Sequence, residues 1–398
     1  MNRCDAKEVA RKQIDSLKEQ LFELSDRIHQ NPEIKHEEYK ACEWLSEYLT
    51  EQGFEVETKV GGLQTSFTAK KVFGSGKPHI AFCAEYDALP NIGHACGHNV
   101  IGLASVAAGL GLARALEESG KDGTVTVFGT PGEEGGGGKV YMARAGLFKD
   151  VDACLMIHPA DRTTAGRTSN TSGRWRFKFY GRSAHGAGNP HLGINALDAV
   201  LQTFNMVNGL RQHTTEDCRL MGIITNGGQS VNAIPEVAEC WFSIRAARLD
   251  THQQLMDRVK KCADAAALAT GCKLESEYPE HYPHNPVRIN EPLNEVLTEN
   301  LEALGIEVDP SPEGGKGSTD FGNVSWEVPG VHGYIAIVPR GTGGHSTELR
   351  EAAGSEPGHK AIVDAGSALA MSGIDLVWCP ELIKKAWEDF EERARQGI

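Results

Sequence analysis

The chain has 398 residues, more than the ~250–300 at which a single hydrophobic core usually stops growing, so two domains are expected. Its net charge of −14 and its lack of a Lys/Arg cluster argue against a nucleic-acid-binding protein, because phosphate recognition requires a basic surface. Ten cysteines are scattered from Cys4 to Cys379, mostly in apolar runs typical of buried free thiols. The N-terminal segment is charged and helical rather than a signal peptide, which predicts a cytoplasmic protein.

The first part of the chain alternates helices with short apolar strands. Helical periodicity covers 6–52, strands are predicted at 79–86, 124–130 and 153–158, and helices at about 100–118 and 137–146. The 100–118 segment approaches the length of a membrane span, but it is rich in Gly and Ala and lacks bulky lipid-facing residues. It is therefore predicted to be a buried helix. Alternation of this kind indicates an α/β fold with a mostly parallel sheet covered on both faces.

The pattern changes after a polar loop at 168–173. Strands at 174–181, 219–228, 237–247 and 272–278 and helices at 193–211 and 251–270 follow the order β-α-β-β-α-β. This order is that of the ferredoxin-like fold. From about 286 the alternation of helices and apolar strands seen in the first part of the chain resumes, with a helix at 291–305, a strand at 333–339 and a helix at 358–377. The sequence thus predicts one α/β domain formed by 1–172 and 286–398, interrupted by an inserted domain at 173–285.

A candidate metal-binding motif lies in the run His-Ala-Cys-Gly-His-Asn. Cys96 and His98 flank one glycine in a loop that follows a strand, where α/β proteins usually place their sites. A thiolate and an imidazole two residues apart can reach one metal pair, and Gly97 permits the tight backbone. By itself a Cys-x-His pair is weak evidence, because two ordinary loop residues give the same pattern. Asn99 is predicted to be the N-cap of the following helix.

Adjacent carboxylates mark the end of the next strand, in the run Thr-Pro-Gly-Glu-Glu-Gly-Gly-Gly-Gly. Glu133 and Glu134 repel each other unless a cation or a proton separates their roles. At a hydrolytic metal centre, one carboxylate can bind the metal while its neighbour accepts a proton from water. A solvated loop is the alternative interpretation. A phosphate-binding loop is excluded, because the Gly-Lys-Ser/Thr ending is missing and two negative charges would face the phosphate.

Two histidines complete the set of candidate ligands. His158 lies at the end of an apolar strand and His345 follows a strand and a Gly-rich loop. Either histidine alone is more often structural. Together, however, Cys, His or Glu residues follow four predicted strands of one sheet. This combination of ligand types suits Zn²⁺ or Mn²⁺.

A longer series of motifs extends this pattern from about residue 20 to residue 378. In order, the chain contains EYDALP, HACGHN, TPGEEGGGGKVYMARAGLF, IHP, GRSAHGAGNPHLGINALDAV, GGQSVNAIPEVAECWFSIRA, GSTDFGNVSWEVPG and HSTE. The series resembles the aminoacylase/carboxypeptidase-type family of dinuclear metallopeptidases, in its amidohydrolase branch. It is most similar to the dipeptidase and aminobenzoyl-glutamate hydrolase subgroup. Two positions depart from the branch pattern: Asn99 and Glu85 stand where aspartate is frequent.

The resemblance assigns expected roles to individual residues. Two divalent metal ions per subunit, Zn²⁺ or alternatively Mn²⁺, are implied, with Cys96 in the bridging place; the implied ligands are Cys96, His98, Glu134, His158 and His345. Glu133 is implied as the general base and Asp87 as a carboxylate that supports a ligand. In the inserted domain, which resembles a lid and dimerisation domain, His185 is implied as an oxyanion donor, with the partner subunit's active site favoured. Asn232 and Arg245 match positions that hold the substrate carboxylate. The loop 314–322 is implied to add backbone donors, with Asp320 in support.

The expected activity is hydrolysis of an amide or peptide bond in a dipeptide or N-acyl amino acid that carries a free carboxylate. The expected assembly is a homodimer formed through the lid domain, with no nucleic-acid or membrane partner. An aminobenzoyl-glutamate-type or N-acyl-amino-acid amidohydrolase is an alternative within the same class. The substrates that the resemblance implies are β-alanyl or α-aminoacyl dipeptides with a basic C-terminal residue, aminobenzoyl-glutamate, or another N-acyl amino acid. Two other classes are weighed against it. A cysteine hydrolase is disfavoured because Cys96 and His98 are too close in sequence to act as a nucleophile–base pair. A non-catalytic metal-binding scaffold is disfavoured because Glu133 is retained.

Overall fold

A computed structural model describes residues 1–310 and 317–397 of the chain. It divides into two compact units. Unit 1 contains Met1–Thr168 and most of the chain after Val287, and unit 2 contains Ser169–Pro286. The first three residues of the 314–322 loop lie outside the described residues.

The elements follow one another in a regular order. Unit 1 begins with α1 (Arg3–Gln30), α2 (Tyr39–Glu51), β1 (Glu55–Thr58), β2 (Phe67–Phe73), β3 (His79–Ala84), α3 (His98–Ser119), β4 (Gly123–Gly129), α4 (Gly138–Arg144) and β5 (Ala153–Ala160). Unit 2 consists of β6 (Thr171–Tyr180), α5 (Ala196–Leu210), β7 (Arg219–Asn226), β8 (Val237–Ala246), α6 (Leu249–Thr270) and β9 (Lys273–Glu277). Unit 1 then resumes with α7 (Glu291–Ala303), α8 (Phe321–Val324), β10 (Gly330–Ala336), α9 (Thr347–Ala353), α10 (Glu356–Trp378) and α11 (Pro380–Gln396).

The sheet of unit 1 has the strand order β1-β2-β4-β3-β5-β10. The four strands from β4 to β10 are parallel, which confirms the predicted mostly parallel α/β fold. The sequence did not reveal β1 and β2, which pair antiparallel at one edge. The side chains of β1 are mostly exposed, and those of β2, Phe-Thr-Ala-Lys-Lys-Val-Phe, are buried only in part. Such short strands at a sheet edge lack the continuous apolar run that marks β3 and β4.

The chain reverses its direction of winding at β3. From β3 it crosses to β4 on one side, and from β4 it returns to β5 on the other side of β3. At such a reversal the loops after neighbouring strands diverge and open a crevice at their carboxyl ends, where α/β proteins bind ligands. The segments after β3, β4 and β10 and the end of β5 therefore surround one position.

Long helices cover this sheet. Residues of α1, α3, α7 and α10 share one hydrophobic core with the sheet, and residues of α4 and α8 form a second cluster with side chains of β3–β5. By length and composition, His98–Ser119 and Glu356–Trp378 could cross a membrane, but 94% and 83% of their apolar windows are buried inside the protein. The burial of α3 agrees with the prediction of a core helix.

The start of α3 differs from the expectation. The N-cap residue is Gly97 rather than Asn99, and Asn99 already lies in the first turn. Its side-chain amide instead donates to Ser25 Oγ at 3.0 Å and to the carbonyl of Ala353 at 2.8 Å. The prediction of an Asn99 N-cap was therefore wrong. The side chain of Asn99 thus makes tertiary hydrogen bonds to α1 and α9 instead of capping its own helix.

Unit 2 is an antiparallel sheet in the order β7-β8-β6-β9, packed against α5 and α6. This strand order belongs to the ferredoxin-like arrangement that its β-α-β-β-α-β sequence predicts. Along β8, buried and partly exposed residues alternate strictly, so that one face of the sheet contacts the two helices. The other face and the β7 edge carry the more exposed side chains.

Candidate active site

The loop between β3 and α3 places Cys96 and His98 at the crevice. Gly97 between them has a φ of 76°, a conformation that residues with a side chain rarely adopt. A Cβ atom at this position would lie 2.5 Å from Cγ of Pro159, directly after His158. Glycine therefore permits both the turn and the close approach of the β3 and β5 segments. This approach brings Cys96 Sγ to 3.4 Å from His158 Nε2.

Asp87 fixes the orientation of His98. Its Oδ1 lies 2.9 Å from His98 Nδ1, and its Oδ2 accepts the backbone N–H of Glu134 at 2.9 Å. Burial works to raise the pKa of Asp87, but His98 and the Glu134 N–H outweigh it and lower the pKa to about 2. Burial works to lower the pKa of His98, but the negative charges around it, that of Asp87 first, outweigh burial and raise the pKa well above its usual value. Because Nδ1–H donates to the ionised Asp87, Nε2 is the ring nitrogen that a metal ion would take in place of its proton. Within the part of the chain that the structure describes, the buried His98 Nε2 has no hydrogen-bond partner.

Glu134 and His345 meet although they are far apart in the sequence. Their side chains approach to 2.9 Å between Oε1 and Nε2. His345 has a φ of 57°, a strained conformation for a residue with a side chain. Strain of this kind is common where the surrounding structure holds a functional side chain in place. The hydrogen bond to Glu134 is the main cause of a raised His345 pKa.

The candidate ligand atoms form two overlapping groups. Cys96, His98 and His158 make one, and Cys96, Glu134 and His345 make the other; within each group the ligand atoms lie within 4.8 Å of one another. Cys96 belongs to both groups. The structure thus brings together the five sequence-predicted ligands, with the thiol in the position shared between two triads.

The donor set suits divalent metal ions. A tetrahedral zinc ion separates a thiolate sulfur from an imidazole nitrogen by about 3.5 Å, and the Cys96–His158 distance is 3.4 Å. Nε2 of the buried His98 has no hydrogen-bond partner among the described residues, although Glu85 Oε2 lies 3.4 Å away, so it is a further atom that a metal ion could bind. Imidazole, thiolate and carboxylate together fit zinc, and the harder ligands also accept manganese. The residues present therefore fit a pair of metal ions.

Glu133 lies beside this centre. Its carboxylate joins His98 and Glu134 in a third group whose ligand atoms are within 4.8 Å of one another. Burial, followed by the charges of Glu134 and Glu85, raises the pKa of Glu133 well above its usual value. A carboxylate in this position is close enough to exchange a proton with a molecule held among the ligands.

A fully buried ion cluster lies behind His98. Lys139 Nζ is 2.6 Å from Glu85 Oε1 and 2.7 Å from Asp320 Oδ1, and the backbone N–H of Lys139 donates to Asp320 Oδ2 at 2.9 Å. Glu85 Oε2 in turn lies 3.4 Å from His98 Nε2. Burial lowers the Lys139 pKa, but the two carboxylates outweigh it and raise the pKa well above the usual value. The cluster thus links the candidate ligand His98 to α4 and to the start of α8.

The remaining predicted residues belong to unit 2. His185 is exposed, and its Nδ1 accepts the backbone N–H of Gly188 at 2.9 Å, which leaves the ring hydrogen of the neutral form on Nε2. The backbone of the next residue donates to the carbonyl of Asn232 at 2.8 Å, so His185 and Asn232 lie on neighbouring segments. Arg245 lies on β8, paired in register with Ser172 of β6.

Three residues near the ligands were not found by sequence reasoning: Lys139, Arg167 and Tyr334. Lys139 follows the glycine run and reads as a surface lysine, but it is fully buried. Arg167 lies in a polar loop that looks like a linker. Tyr334 alternates with His332 on β10, and this period-two pattern is the one signal that could have placed it on the His158 side of the sheet.

Fold and site together define a class of protein: a hydrolase of α/β fold with candidate ligands for two metal ions at the carboxyl ends of parallel strands and the Glu133 carboxylate beside them. The family model described as Peptidase family M20/M25/M40 matches residues 81–353. The chain belongs to this family, and it is a metal-dependent hydrolase of amide or peptide bonds.

Curated relatives match over almost the whole chain. The Xaa-Arg dipeptidase of Mus musculus is 37% identical over 405 residues, covering 97% of this chain and 92% of that protein. A component of the p-aminobenzoyl-glutamate hydrolase of Escherichia coli is 30% identical, covering 95% of this chain and 93% of that protein. The predicted resemblance to the dipeptidase and aminobenzoyl-glutamate hydrolase subgroup is thus confirmed.

Solved structures share the fold. The aminobenzoyl-glutamate utilization protein of Klebsiella pneumoniae matches with a TM-score of 0.72 at 18% identity, covering 92% of this chain and 98% of that chain. The YxeP protein of Bacillus subtilis, described as a dinuclear metal-binding peptidase from the M20 family, matches with a TM-score of 0.66 at 20% identity, covering 91% of this chain and 99% of that chain.

Proposed function

We propose that the protein is a dipeptidase or N-acyl-amino-acid amidohydrolase that cleaves the amide next to a free α-carboxylate. The observation that carries this proposal is the shared position of Cys96 in two ligand triads with Glu133 beside them. Cys96, His98, Glu134, His158 and His345 would hold two divalent ions. The thiolate favours zinc, and manganese is the alternative. The E. coli relative, named for aminobenzoyl-glutamate, supports N-acyl glutamates as a second substrate type.

Each residue of the proposed site has its own role in the hydrolysis. When bound, the two ions supply Lewis acidity, which polarises the scissile carbonyl and lowers the pKa of water. Glu133 accepts the proton of the attacking water and returns it to the leaving amine. Asp87 keeps the Nε2 lone pair of His98 directed at the centre. His185 donates from Nε2 to the oxyanion that develops on the carbonyl oxygen.

Recognition of the α-carboxylate is assigned to unit 2. The guanidinium of Arg245 offers two parallel donors that match a carboxylate, and the amide of Asn232 adds a third. An enzyme that needs this carboxylate is expected to reject substrates in which it is amidated, because these donors would then lose their charged partner.

Removal of the metal ions tests the proposal. Dialysis against a chelator is expected to abolish hydrolysis of a dipeptide panel, and two equivalents of Zn²⁺ or Mn²⁺ per chain are expected to restore it. Metal content measured on the same samples by mass spectrometry gives the stoichiometry. Full activity in a metal-free sample would contradict the proposal.

Cys96→Asp separates this mechanism from a cysteine hydrolase. A carboxylate can replace a bridging thiolate, so this variant is expected to keep two metal ions and measurable turnover, with a shifted preference towards Mn²⁺. If Cys96 were the nucleophile, the same variant would be inactive at full metal content, and chelation would leave the wild type active.

A homodimer through unit 2 is part of the proposal. Within the described residues β7 has a strand partner on one side, and it carries exposed Met221, Ile223 and Ile224. An edge strand with exposed apolar side chains is a common pairing surface. We expect the wild type to be a dimer by light scattering and Ile223→Lys to be a monomer. Leu268→Lys, a change at an exposed apolar residue of α6, serves as the matched control. A monomeric wild type or a dimeric Ile223→Lys variant contradicts this assembly.

A further inference from the structure

Arg167 lies close to the metal-ligand set although the mechanism above does not use it. It follows β5 in unit 1, and its guanidinium carbon is 3.7 Å from the centre of the Tyr334 ring. Both side chains are half-buried, so they remain accessible from solvent. A guanidinium stacked on an aromatic face keeps its N–H groups free in the plane for an anion.

Tyr334 connects this arginine to the metal centre. It pairs in register with His158 across β10 and β5, and their ring centres are 5.8 Å apart. The Arg167 guanidinium carbon therefore lies no more than about 9.5 Å from the centre of the His158 ring, the sum of the two distances. A substrate held at the candidate ligands can reach it with a side chain.

The positive charge of Arg167 has no acidic partner among the described residues. Among the described residues its buried Nε has no hydrogen-bond partner, and its guanidinium contacts the face of the Tyr334 ring. Lys139, by contrast, is a fully buried cation with two carboxylates at 2.6 and 2.7 Å. A partly desolvated cation without a counterion destabilises the folded protein. Proteins tolerate such a cation at functional sites, where an anionic ligand supplies the missing counterion.

We propose that Arg167, supported by Tyr334, binds a carboxylate on one side chain of the substrate and makes the enzyme prefer an acidic residue over its neutral isostere at that position. This inference rests on the proposed function, in which Arg245 and Asn232 bind the α-carboxylate. A carboxylate is the anion that amino-acid substrates offer, and its two oxygens match the free edge of the guanidinium.

The test uses the metal-loaded enzyme and two pairs of isosteric dipeptides, Ala-Glu with Ala-Gln and Glu-Ala with Gln-Ala. In at least one pair the wild type is expected to prefer the Glu substrate by roughly tenfold or more in kcat/KM, as for a charge-assisted hydrogen bond. Arg167→Met is expected to reduce this ratio to within about threefold of unity, mainly through KM. Arg167→Lys is expected to retain part of it. Because each ratio is measured within one variant, partial misfolding cancels.

Arg162→Met is the matched control, because Arg162 lies in the same segment but pairs with Asp161 at 3.5 Å. It is expected to keep the wild-type ratio. The inference is overturned if the wild type shows no Glu preference in either pair, or if Arg167→Met lowers turnover of all four dipeptides equally. Calorimetric binding of glutamate and glutamine gives a readout independent of turnover. Failure to hydrolyse any dipeptide counts against the proposed function, whereas equal glutamate binding by wild type and Arg167→Met overturns this inference alone.

Discussion

Replacing Glu133 with glutamine is expected to lower kcat by roughly 10²–10⁴-fold, the range that general acid–base catalysis usually contributes. Glutamine keeps the shape of the side chain but accepts no proton at neutral pH, so water can no longer be activated by this group. The measurement is steady-state turnover of the best dipeptide of the panel, with metal content determined on the same sample. The metal content is expected to stay at the wild-type level, because Glu133 is not among the five proposed ligands.

Two matched variants make this result specific. Glu134→Gln removes a proposed ligand, so turnover and metal content are expected to fall together. Glu351→Gln changes an exposed carboxylate on α9 and is expected to affect neither. Near-normal turnover of the metal-loaded Glu133→Gln variant would exclude Glu133 as the base. A loss of metal equal to that of Glu134→Gln would instead make Glu133 a ligand.

Lys139→Met is expected to destabilise unit 1 by about 3–5 kcal/mol, the usual cost of breaking a buried ion pair from one side. The variant leaves Glu85 and Asp320 buried without their cation, and both carboxylates are fully buried. Hydrogen exchange of the metal-free protein is a suitable measurement, because bound metal would add its own stabilisation. Amides of β3 and β4 are expected to exchange faster, while those of β6 and β8 in unit 2 keep the wild-type rate.

A surface pair provides the control for Lys139. Lys178→Met breaks the Lys178–Glu239 contact of unit 2, where both side chains are partly exposed, and is expected to cost less than about 1 kcal/mol. Adding Glu85→Gln to Lys139→Met removes one uncompensated charge and is expected to recover part of the lost stability. Exchange rates of β3 and β4 in Lys139→Met that match the wild type would mean that the cluster does not stabilise unit 1.

Much of the fold could be predicted because its signals are local. Strands β3, β4 and β5 are continuous apolar runs, and β8 has a period-two pattern, so each element was found within a few residues of its observed bounds. The antiparallel edge formed by β1 and β2 was missed because its side chains are only partly buried. Asn99 was assigned to a cap because its local sequence favours one, whereas its hydrogen-bond partners lie on α1 and α9.

The amino-acid sequence by itself determined the family, the mostly parallel sheet and the identity of the candidate ligands. The ligands could be named because a residue that follows a parallel strand lies at the carboxyl edge of the sheet, wherever the rest of the chain packs. Only the tertiary structure decided how the ligand atoms are shared, with Cys96 common to two triads. It alone revealed that Lys139 pairs with Asp320 across 181 positions and that Arg167 stacks on Tyr334 without an acidic partner among the described residues. Such contacts depend on where distant elements pack, and neither spacing nor composition records that information.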